Sequence, residues 1–324
     1  MTLSDARIMG STGNRPFDAS RIAVLTVTYH PEIARLEQQI SALPSDALLV
    51  LVDNASSAIE VNEIRQLVAC QPRAHVLRNE TNLGLGAALN LGAAHVAKIA
   101  PMTEFLLLLD QDSVPHPGAI EQLHRAFLQL EREGQSVGCV GPRLIDQATG
   151  LQHGFHCIRG WRWARAFAGD DSATVVDCAN LNGSGTLVRL SLFQQMGGLN
   201  EAMFIDHIDT DWSFRVLDAG FKLFGIPQAT FDHCMGERGM RFWWFGWRAW
   251  PQRTPKRHYS LFRNAVYLLH QSYVPCVWKF WAVVKLVVTL LVHAIFDSQR
   301  ISQVHNMVCG IYDSRNRAAF EKRN

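Results

Sequence analysis

The chain has 324 residues, 48% of them hydrophobic and 19% charged, which is enough for one large α/β domain with an appendage or for two modest domains. The formal net charge is only +2, so the sequence does not carry the strong positive field expected of a nucleic-acid-binding protein. The seven cysteines stand singly, without a CxxC pair, which argues against a zinc ribbon or a disulfide framework and favours a reducing compartment such as the cytoplasm.

The first half of the chain alternates between strand and helix patterns. Residues 1–20 lack an apolar core of signal-peptide length, so we expect a short flexible leader. The predicted elements that follow are a strand at 22–28, a helix from 31 to about 43, a strand at 48–52, a helix at 59–69, a strand at 75–78, a helix from 87 to about 98 and a strand at 105–109. This alternation, which continues to about residue 130, indicates an α/β fold with a mostly parallel, Rossmann-like sheet flanked by helices.

Beyond Gly141-Pro142 the pattern is less regular. The predicted elements are a strand at 186–188, a helix from Ser191, a helix from about Thr210 to Ala219 and a strand at 221–225. Residues 240–250 (MRFWWFGWRAW) combine aromatic rings with arginines, a composition suited to a membrane interface.

The most informative motif is LLLLDQDS at 106–113, where two carboxylates follow a buried strand. Asp110 and Asp112 are separated by one residue and offer the oxygen ligands that Mg²⁺ and Mn²⁺ prefer. A metal held there would neutralise the charge that develops as a diphosphate leaves. A lone Asp-x-Asp is often only a polar loop, but the strand context and the motifs around it favour a metal site.

Two further segments predict a nucleotide site at the same edge of the sheet. Asp53 ends the strand 48–52, and its carboxylate can accept a hydrogen bond from the ring N–H of a pyrimidine base. The glycine-rich stretch 82–90 opens a helix, so its backbone N–H groups can approach a phosphate or a ribose. The alternatives are an ordinary loop start at Asp53 and close helix–strand packing at the glycines.

The segment FIDHIDTDWSFR at 204–215 supplies a candidate general base. Asp211 and Arg215 are four apart on the predicted helix and can pair, which leaves Asp209 at the helix N-terminus facing a cleft. A carboxylate in that place can take the proton of an acceptor hydroxyl, although Asp is also favoured as a helix cap. His233 is either a structural histidine or a third metal ligand.

Taken together, these segments resemble glycosyltransferase family 2 and, within it, the bacterial rhamnosyltransferases. The matching segments cover nearly the whole chain in order: TVTYHP (26–31), LVDNAS (51–56), NLGLGAALNLG (82–92), LLLLDQDS (106–113), GSGTLVR (183–189), FIDHIDTDWSFR (204–215) and HYSLFRN (258–264). The resemblance implies a GT-A fold and an inverting, metal-dependent transfer of a sugar from a nucleotide donor, which in this subgroup is dTDP-L-rhamnose.

The resemblance also implies a role for each motif. The residues assigned to the donor are Thr28, Tyr29, Asp53, Asn82, Gly84, Asp110 and Gln111; those assigned to the metal are Asp110, Asp112 and His233; and those assigned to the acceptor are Gly183, Ser184, Gly185, Asp206 and Trp212. Asp209 falls where the family has its general base, and Asp211 is the alternative base or a support. Ile208 departs from the Glu of many relatives, but the FIDHxD form is typical of the rhamnosyl subgroup.

The C-terminal part of the chain predicts contact with a membrane. Residues 274–296 are long and apolar enough to span a bilayer but contain Lys279, Lys285 and His293, so we expect a peripheral or partly inserted helix. A buried soluble helix and a true span are the alternatives. We therefore predict a GT-A catalytic domain at 21–250, with a nucleotide-sugar half (21–130) and an acceptor half (131–250), and a helical membrane-associating region at 251–324.

These predictions describe a peripheral enzyme on the cytoplasmic side of the bacterial inner membrane, with a lipid-linked glycan, such as an O-antigen intermediate, or a glycolipid as acceptor. A homodimer interface is the other use of the apolar C-terminal surface. Within the same class, the donor can be another dTDP- or UDP-sugar. A nucleotidyltransferase would also use paired aspartates but lacks its glycine- and lysine-rich loop here, and a non-catalytic membrane-associated binding protein would tolerate loss of Asp112 and Asp209.

Overall fold

The structure, a computed structural model, describes residues 17–147, 149–167, 175–234, 239–243, 247–251 and 253–315, with the backbone alone described at 239–243, 247–251 and 315. Most of the predicted leader, the side chains of the aromatic segment 240–250 and residues 316–324 therefore lie outside the described part of the chain.

The described residues form nine α-helices and fourteen strands. The helices are α1 (Ile33–Ala42), α2 (Ala58–Val68), α3 (Leu85–Ile99), α4 (Ala119–Arg132), α5 (Leu190–Gln195), α6 (Ile208–Asp218), α7 (Pro255–Leu269), α8 (Cys276–Phe296) and α9 (Arg300–Arg315). The strands are β1 (Ile22–Thr28), β2 (Leu48–Asp53), β3 (Ala74–Arg78), β4 (Phe105–Asp110), β5 (Ser113–Pro115), β6 (Val137–Asp146), β7 (Gln152–His153), β8 (Phe155–Arg159), β9 (Arg162–Ala166), β10 (Val176–Cys178), β11 (Thr186–Arg189), β12 (Lys222–His233), β13 (Gly239–Trp243) and β14 (Trp247–Pro251).

The central sheet has the strand order β10-β12-β6-β11-β4-β1-β2-β3, with β5 and β7 paired at its margins. Strands β3, β2, β1 and β4 run parallel, β11 is antiparallel between β4 and β6, and β6 and β12 are parallel. Apolar residues cover both faces of β1, β2 and β4 because helices pack on each side. One core includes residues of α1, α2 and α4, and the other includes residues of α3, α5 and α6. The predicted mostly parallel sheet with flanking helices is confirmed.

The second half of the sheet departs from the sequence prediction most clearly at β12. The strand predicted at 221–225 extends from Lys222 to His233, because its second part pairs with β6 and β5. A register shift between Ile226 and Thr230 accommodates Pro227, which cannot donate to the ladder. Strands β6, β11 and β12 therefore extend the same sheet as the first half, and β12 brings His233 to the end of β4.

The C-terminal region is helical, as predicted, and packs on helix α6. The Trp278 ring of α8 lies 5.7 Å from the His207 ring and 5.6 Å from the Phe214 ring, both edge-to-face. Buried polar side chains also join the last helices: His293 Nδ1 lies 2.7 Å from Asp297 Oδ2, and the Gln303 amide donates to the same carboxylate at 3.1 Å. These contacts fix the orientation of α8 relative to the sheet.

Helix α8 leaves an apolar face exposed to solvent. The large hydrophobic side chains on that face are Phe280, Trp281, Val283, Val287, Val288, Leu291 and Ile295. Lys279 and Lys285 lie at the two borders of this face, and Lys279 donates to the backbone oxygen of Gln271 at 2.6 Å. Among the described residues, α8 is the one helix long and apolar enough to cross a membrane. Its two sides differ, however, because the opposite side packs against protein.

Candidate active site

The predicted metal ligands come together at the carboxyl end of β4. One ligand atom each from Asp110, Asp112 and His233 lies within 4.8 Å of the others. The grouping depends on β5, which follows the Asp-x-Asp motif directly and pairs antiparallel with β12, setting Ser113 opposite His233. His233 Nδ1 is 3.3 Å from Asp112 Oδ1. Two carboxylates and one imidazole form a donor set that fits a divalent cation such as Mn²⁺.

Electrostatics support the same interpretation of this cluster. The pKa of Asp110 is raised to about 6, mainly by burial; the charge of His233 opposes this rise, and the carboxylates of Asp112 and Asp209 add to it. Burial by itself would lower the pKa of His233, but Asp112 and Asp110 raise it overall. The negative charge at this edge of the sheet therefore exceeds what the protein neutralises, and a bound cation would relieve the repulsion.

The glycine-serine-glycine loop at 183–185 links the metal cluster to Asp209. The Ser184 hydroxyl accepts the backbone N–H of Asp110 at 3.2 Å and donates to Ser113 Oγ at 2.6 Å. Gly183 lies against Asp209, since a Cβ added at that glycine would be 3.8 Å from Asp209 Cβ. This loop, which the sequence assigned to the acceptor, therefore lies between the two halves of the site.

Asp209 has the environment of a base. Its pKa is raised because burial disfavours the carboxylate and Asp206 repels it, whereas the backbone N–H groups of Thr210 and Gly183 act in the opposite direction. The Thr210 N–H donates to Asp209 Oδ1 at 2.8 Å. Helix α6 begins at Ile208 with His207 as its N-cap, so Asp209 does not fill the cap position. The negative charge of Asp209 also raises the pKa of Asp110, so the two carboxylates interact electrostatically.

Asp211, the alternative base, is fully buried and its two oxygens have protein partners. Arg215 Nε donates to Asp211 Oδ2 at 2.8 Å, as the four-residue spacing predicted. The Tyr273 hydroxyl donates to Asp211 Oδ1 at 2.5 Å. This burial and pairing favour a supporting role for Asp211.

Asp206 is also paired, with two arginines from the start of the C-terminal region. Arg253 Nη1 lies 2.9 Å from Asp206 Oδ1, and Arg257 Nε lies 3.4 Å from Asp206 Oδ2. The charge of Arg257 also lowers the pKa of Asp110, although burial raises that pKa overall. Asp206 therefore ties the turn before α6 to the residues that lead into α7.

The turn before α6 has an unusual backbone that α7 holds in place. Phe204, Asp206 and His207 have φ values of 60°, 63° and 64°, a region that non-glycine residues rarely adopt. The buried Asn264 amide donates to the backbone oxygens of Met203, Ile205 and Asp206 at 2.8, 2.8 and 2.9 Å. Asn264 of the HYSLFRN segment thus positions the turn that leads into the helix carrying Asp209, a role that the sequence did not reveal.

The predicted donor residues line the ends of β1 and β2. The buried Asp53 carboxylate accepts the Thr28 hydroxyl at 3.1 Å and the backbone N–H of Ser56 at 3.0 Å. The half-exposed Tyr29 lies beside the Asp-x-Asp motif, because the Gln111 amide accepts its N–H at 2.8 Å and donates to its carbonyl at 3.2 Å. These hydrogen bonds connect the ends of β1 and β2 to the Asp-x-Asp motif.

The glycine-rich segment closes the same cleft. Asn82 Oδ1 accepts the Asn54 amide at 2.8 Å and the N–H of Gly84 at 2.9 Å. Gly84 has a φ of 85°, and a Cβ there would lie 2.7 Å from the backbone of Phe204. A side chain at Gly84 would therefore push apart α3 and the turn that leads to Asp209.

Sequence reasoning missed two buried polar residues of α1. Gln39 Nε2 donates to the backbone oxygens of Asp110 and Ser113 at 2.7 and 2.6 Å. Arg35 Nε donates to the backbone oxygen of Asp112 at 3.0 Å. Their four-residue spacing places both on one helix face, a signal that was available in the sequence.

Trp212, which the sequence assigned to the acceptor, lies in the core instead. Its side chain is 3% exposed, and its indole N–H donates to Cys139 Sγ at 3.3 Å. The ring packs on Phe193 with centroids 5.1 Å apart. Trp212 therefore anchors α6 to the sheet, and the cleft is lined by other residues.

Comparisons with known proteins agree with this geometry. The sequence model described as Glycosyl transferase family 2 matches residues 31–197, slightly more than half of the chain. The chain is 26% identical over 269 residues to the dTDP-rhamnosyl transferase RfbF of Shigella flexneri, covering 79% of this chain and 82% of that protein. It is also 26% identical over 234 residues to the N-acetylglucosaminyl-diphospho-decaprenol L-rhamnosyltransferase of Mycobacterium tuberculosis, covering 65% of this chain and 75% of that protein.

Solved structures show the fold. The mannosyltransferase PcManGT from Pyrobaculum calidifontis, in complex with GDP-Man and Mn²⁺, superposes with a TM-score of 0.53 at 14% identity, over 91% of this chain and 87% of that one. GalNAc-T7 with UDP, GalNAc and Mn²⁺ gives a TM-score of 0.52 at 17% identity, over 65% of this chain and 42% of that one. The predicted GT-A fold is confirmed.

Proposed function

Because the chain belongs to glycosyltransferase family 2, we propose that it is an inverting, metal-dependent enzyme that transfers L-rhamnose from dTDP-L-rhamnose. The acceptor is a hydroxyl of a lipid-linked glycan or glycolipid used in cell-surface polysaccharide synthesis. The observation that carries this proposal is the grouping of Asp110, Asp112 and His233 next to Asp209. The names of the Shigella and Mycobacterium relatives support rhamnose as the sugar and a lipid-linked diphosphate glycan as one acceptor class.

Asp110, Asp112 and His233 are the residues that would hold the cation, Mg²⁺ or Mn²⁺. When bound, such an ion neutralises the negative charge of the leaving nucleoside diphosphate. Gln39 and Arg35 keep the backbone of the motif in place from α1. The donor base lies toward Asp53, and Thr28, Tyr29, Gln111, Asn82 and Gly84 complete the donor side.

Asp209 takes the proton from the acceptor hydroxyl as the acceptor oxygen bonds to the anomeric carbon and the bond from that carbon to the nucleoside diphosphate breaks. A single displacement inverts the configuration at that carbon and requires a base but no enzyme nucleophile. The buried, repelled carboxylate of Asp209 is a stronger base than an exposed aspartate. Gly183, Ser184 and Gly185 border the space between Asp209 and the metal cluster, where the acceptor would enter. In this scheme residues 21–130 bind the donor and residues 131–250 bind the acceptor.

The apolar face of α8 would attach the enzyme to the cytoplasmic side of the bacterial inner membrane as a peripheral protein. This helix packs against α6 through Trp278, so a membrane-bound acceptor would lie near Asp209. Membrane fractionation tests the attachment: detergent, rather than high salt, should release the wild-type protein, and Leu291→Glu on the exposed face should move it to the soluble fraction. A wild-type protein that is absent from the membrane pellet and forms a soluble dimer would refute it.

A donor screen tests the catalytic proposal. The purified protein is incubated with dTDP-, UDP- and GDP-sugars, with Mg²⁺ or Mn²⁺, and release of free nucleoside diphosphate is scored. We expect dTDP-L-rhamnose to give the fastest release, and Asp112→Ala to give none above background. Faster turnover of another dTDP- or UDP-sugar would replace rhamnose as the donor, and full turnover in excess chelator would refute the metal-dependent mechanism.

A further inference from the structure

Three cations gather beside the catalytic helix, on the side that faces α8. Desolvation lowers the pKa of the Lys285 ammonium, and the positive charges of Arg253 and Arg165 lower it further, against the opposing effect of Asp206. Lys285 and Arg165 are both exposed residues, although neighbouring protein atoms partly desolvate the Lys285 ammonium. Within the described residues neither of them has a hydrogen-bonding or ion-pair partner, and Arg253 shares Asp206 with Arg257. The cluster thus has more positive than negative charge.

The three cations come from separate elements that the fold holds together. Arg165 lies on β9, which contacts α8. The indole N–H of Trp281 on α8 also donates, at 2.9 Å, to the backbone oxygen of Trp161, which lies in the turn between β8 and β9. Lys285 is one helical turn beyond Trp281. Mutual repulsion makes such a grouping unfavourable unless an anion occupies it.

The position of the cluster defines which anion it fits. On one side lies the apolar face of α8, with Phe280 and Leu291 exposed. On the other lies His207, the N-cap of the helix that carries Asp209. Burial lowers the pKa of His207, and the charge of Lys285 also lowers it. The order along the surface is therefore apolar face, cation cluster, catalytic carboxylate. A lipid-linked glycan has its parts in the same order: hydrocarbon chain, diphosphate, sugar.

We propose that Arg165, Lys285 and Arg253 form a binding subsite for the diphosphate of a polyprenyl-diphosphate-linked acceptor, separate from the metal cluster that takes the donor diphosphate. This inference rests on the proposed function, because it assigns the acceptor of that reaction. The subsite holds the acceptor by its anionic group, while the hydrocarbon chain follows α8 and the sugar reaches Asp209.

The test compares variants of the two exposed cations with a matched control. Lys285→Gln and Arg165→Gln each remove one charge, and the double variant removes both. Arg162→Gln is the control, because Arg162 is exposed on the same strand, three residues before Arg165 and thus on its opposite face. The full-length variants are first compared with the wild type by thermal unfolding, which should be unchanged since these side chains are exposed.

Binding is measured by tryptophan fluorescence with farnesyl diphosphate and farnesol in detergent, in the presence of saturating dTDP. The wild type should bind the diphosphate more tightly than the alcohol. Each single variant should weaken diphosphate binding about tenfold, the loss expected from one charged hydrogen bond, and the double variant should bind both ligands alike. Arg162→Gln should stay within about twofold of the wild type, and so should dTDP binding by every variant.

Three results would overturn the inference. Equal weakening by Arg162→Gln would mean that the effect is general surface charge. Loss of dTDP binding in the double variant would assign these cations to the donor diphosphate. An equal loss of binding to phosphatidylglycerol vesicles, with farnesyl diphosphate binding retained, would assign them to the bilayer surface. Because the binding assay needs no turnover, it remains informative even if the donor screen shows no transfer.

Discussion

Asp209 and Asp211 are two residues apart on α6, and the structure predicts opposite consequences when each is changed to asparagine. The substitution Asp209→Asn keeps the shape of the side chain but removes its ability to accept a proton. A general base contributes on the order of 10² to 10⁴ in rate, so kcat should fall by about that factor. That loss corresponds to roughly 3 to 5 kcal/mol of transition-state stabilisation. The donor KM should change little, because the donor is held elsewhere.

Asp211→Asn should instead destabilise the fold. The Asp211 side chain is fully buried, and its partner Arg215 is 21% exposed, so the pair is poorly screened by solvent. Removing one member of a buried pair costs about 3 kcal/mol or more. For a protein of this size, that corresponds to a decrease in Tm on the order of 6 to 12 °C. Below its unfolding temperature, the variant should retain turnover within about tenfold of the wild type.

The assay measures nucleoside diphosphate release with donor and acceptor both present, alongside thermal unfolding of each variant. Asp218→Asn, at the last residue of the same helix, is a matched control for loss of one carboxylate. The reasoning fails if Asp211→Asn is folded at the assay temperature but inactive while Asp209→Asn is nearly normal. In that case Asp211 would be the base, and its hydrogen bonds to Tyr273 and Arg215 would have to open during the reaction.

Three further predictions concern the metal, the turn before α6 and a buried histidine. Asp112→Ala should reduce Mn²⁺-dependent turnover at least about a hundredfold. The Tm should be nearly unchanged, because the Asp112 side chain is 35% exposed. Retained turnover would exclude Asp112 as a ligand. Asn264→Ala should lower the free energy of unfolding by about 2 kcal/mol in urea, because it removes the side-chain donor to the backbone oxygens of Ile205 and Asp206; an unchanged urea midpoint would contradict this. Burial, with help from the charge of Arg165, lowers the pKa of His156 to about 3 in the folded protein. As the pH falls, the imidazole is therefore protonated in the unfolded chain before it is protonated in the folded one. The contribution of neutral His156 to stability is present above pH 6.5 and should fall by about 2 kcal/mol by pH 5. His156→Phe should remove that part of the pH dependence. Urea unfolding at pH 8 and pH 5 measures it.

The sequence by itself determined the strands that form the centre of the sheet and the acids that end them. Residues 22–28, 48–53 and 105–110 form strands because their apolar, branched side chains must be covered on both faces. Asp53 and Asp110 then fall at the carboxyl ends of parallel strands, where the chain leaves the core. The four-residue spacing of Asp211 and Arg215 likewise predicted their pair. These features are local, so periodicity and spacing suffice to identify them.

Tertiary structure decided what depends on residues far apart in the chain. Ser113 and His233 are 120 residues apart, and the pairing of β5 with β12 brings the histidine to the two aspartates. The choice between Asp209 and Asp211 depends on Tyr273, which lies 62 residues beyond Asp211 and occupies one of its oxygens. Helix α8 has the composition of a membrane span, but packing on one side leaves only its other side apolar and exposed. Composition gives the hydrophobicity of a helix, whereas its neighbours determine which face of that helix meets solvent or lipid.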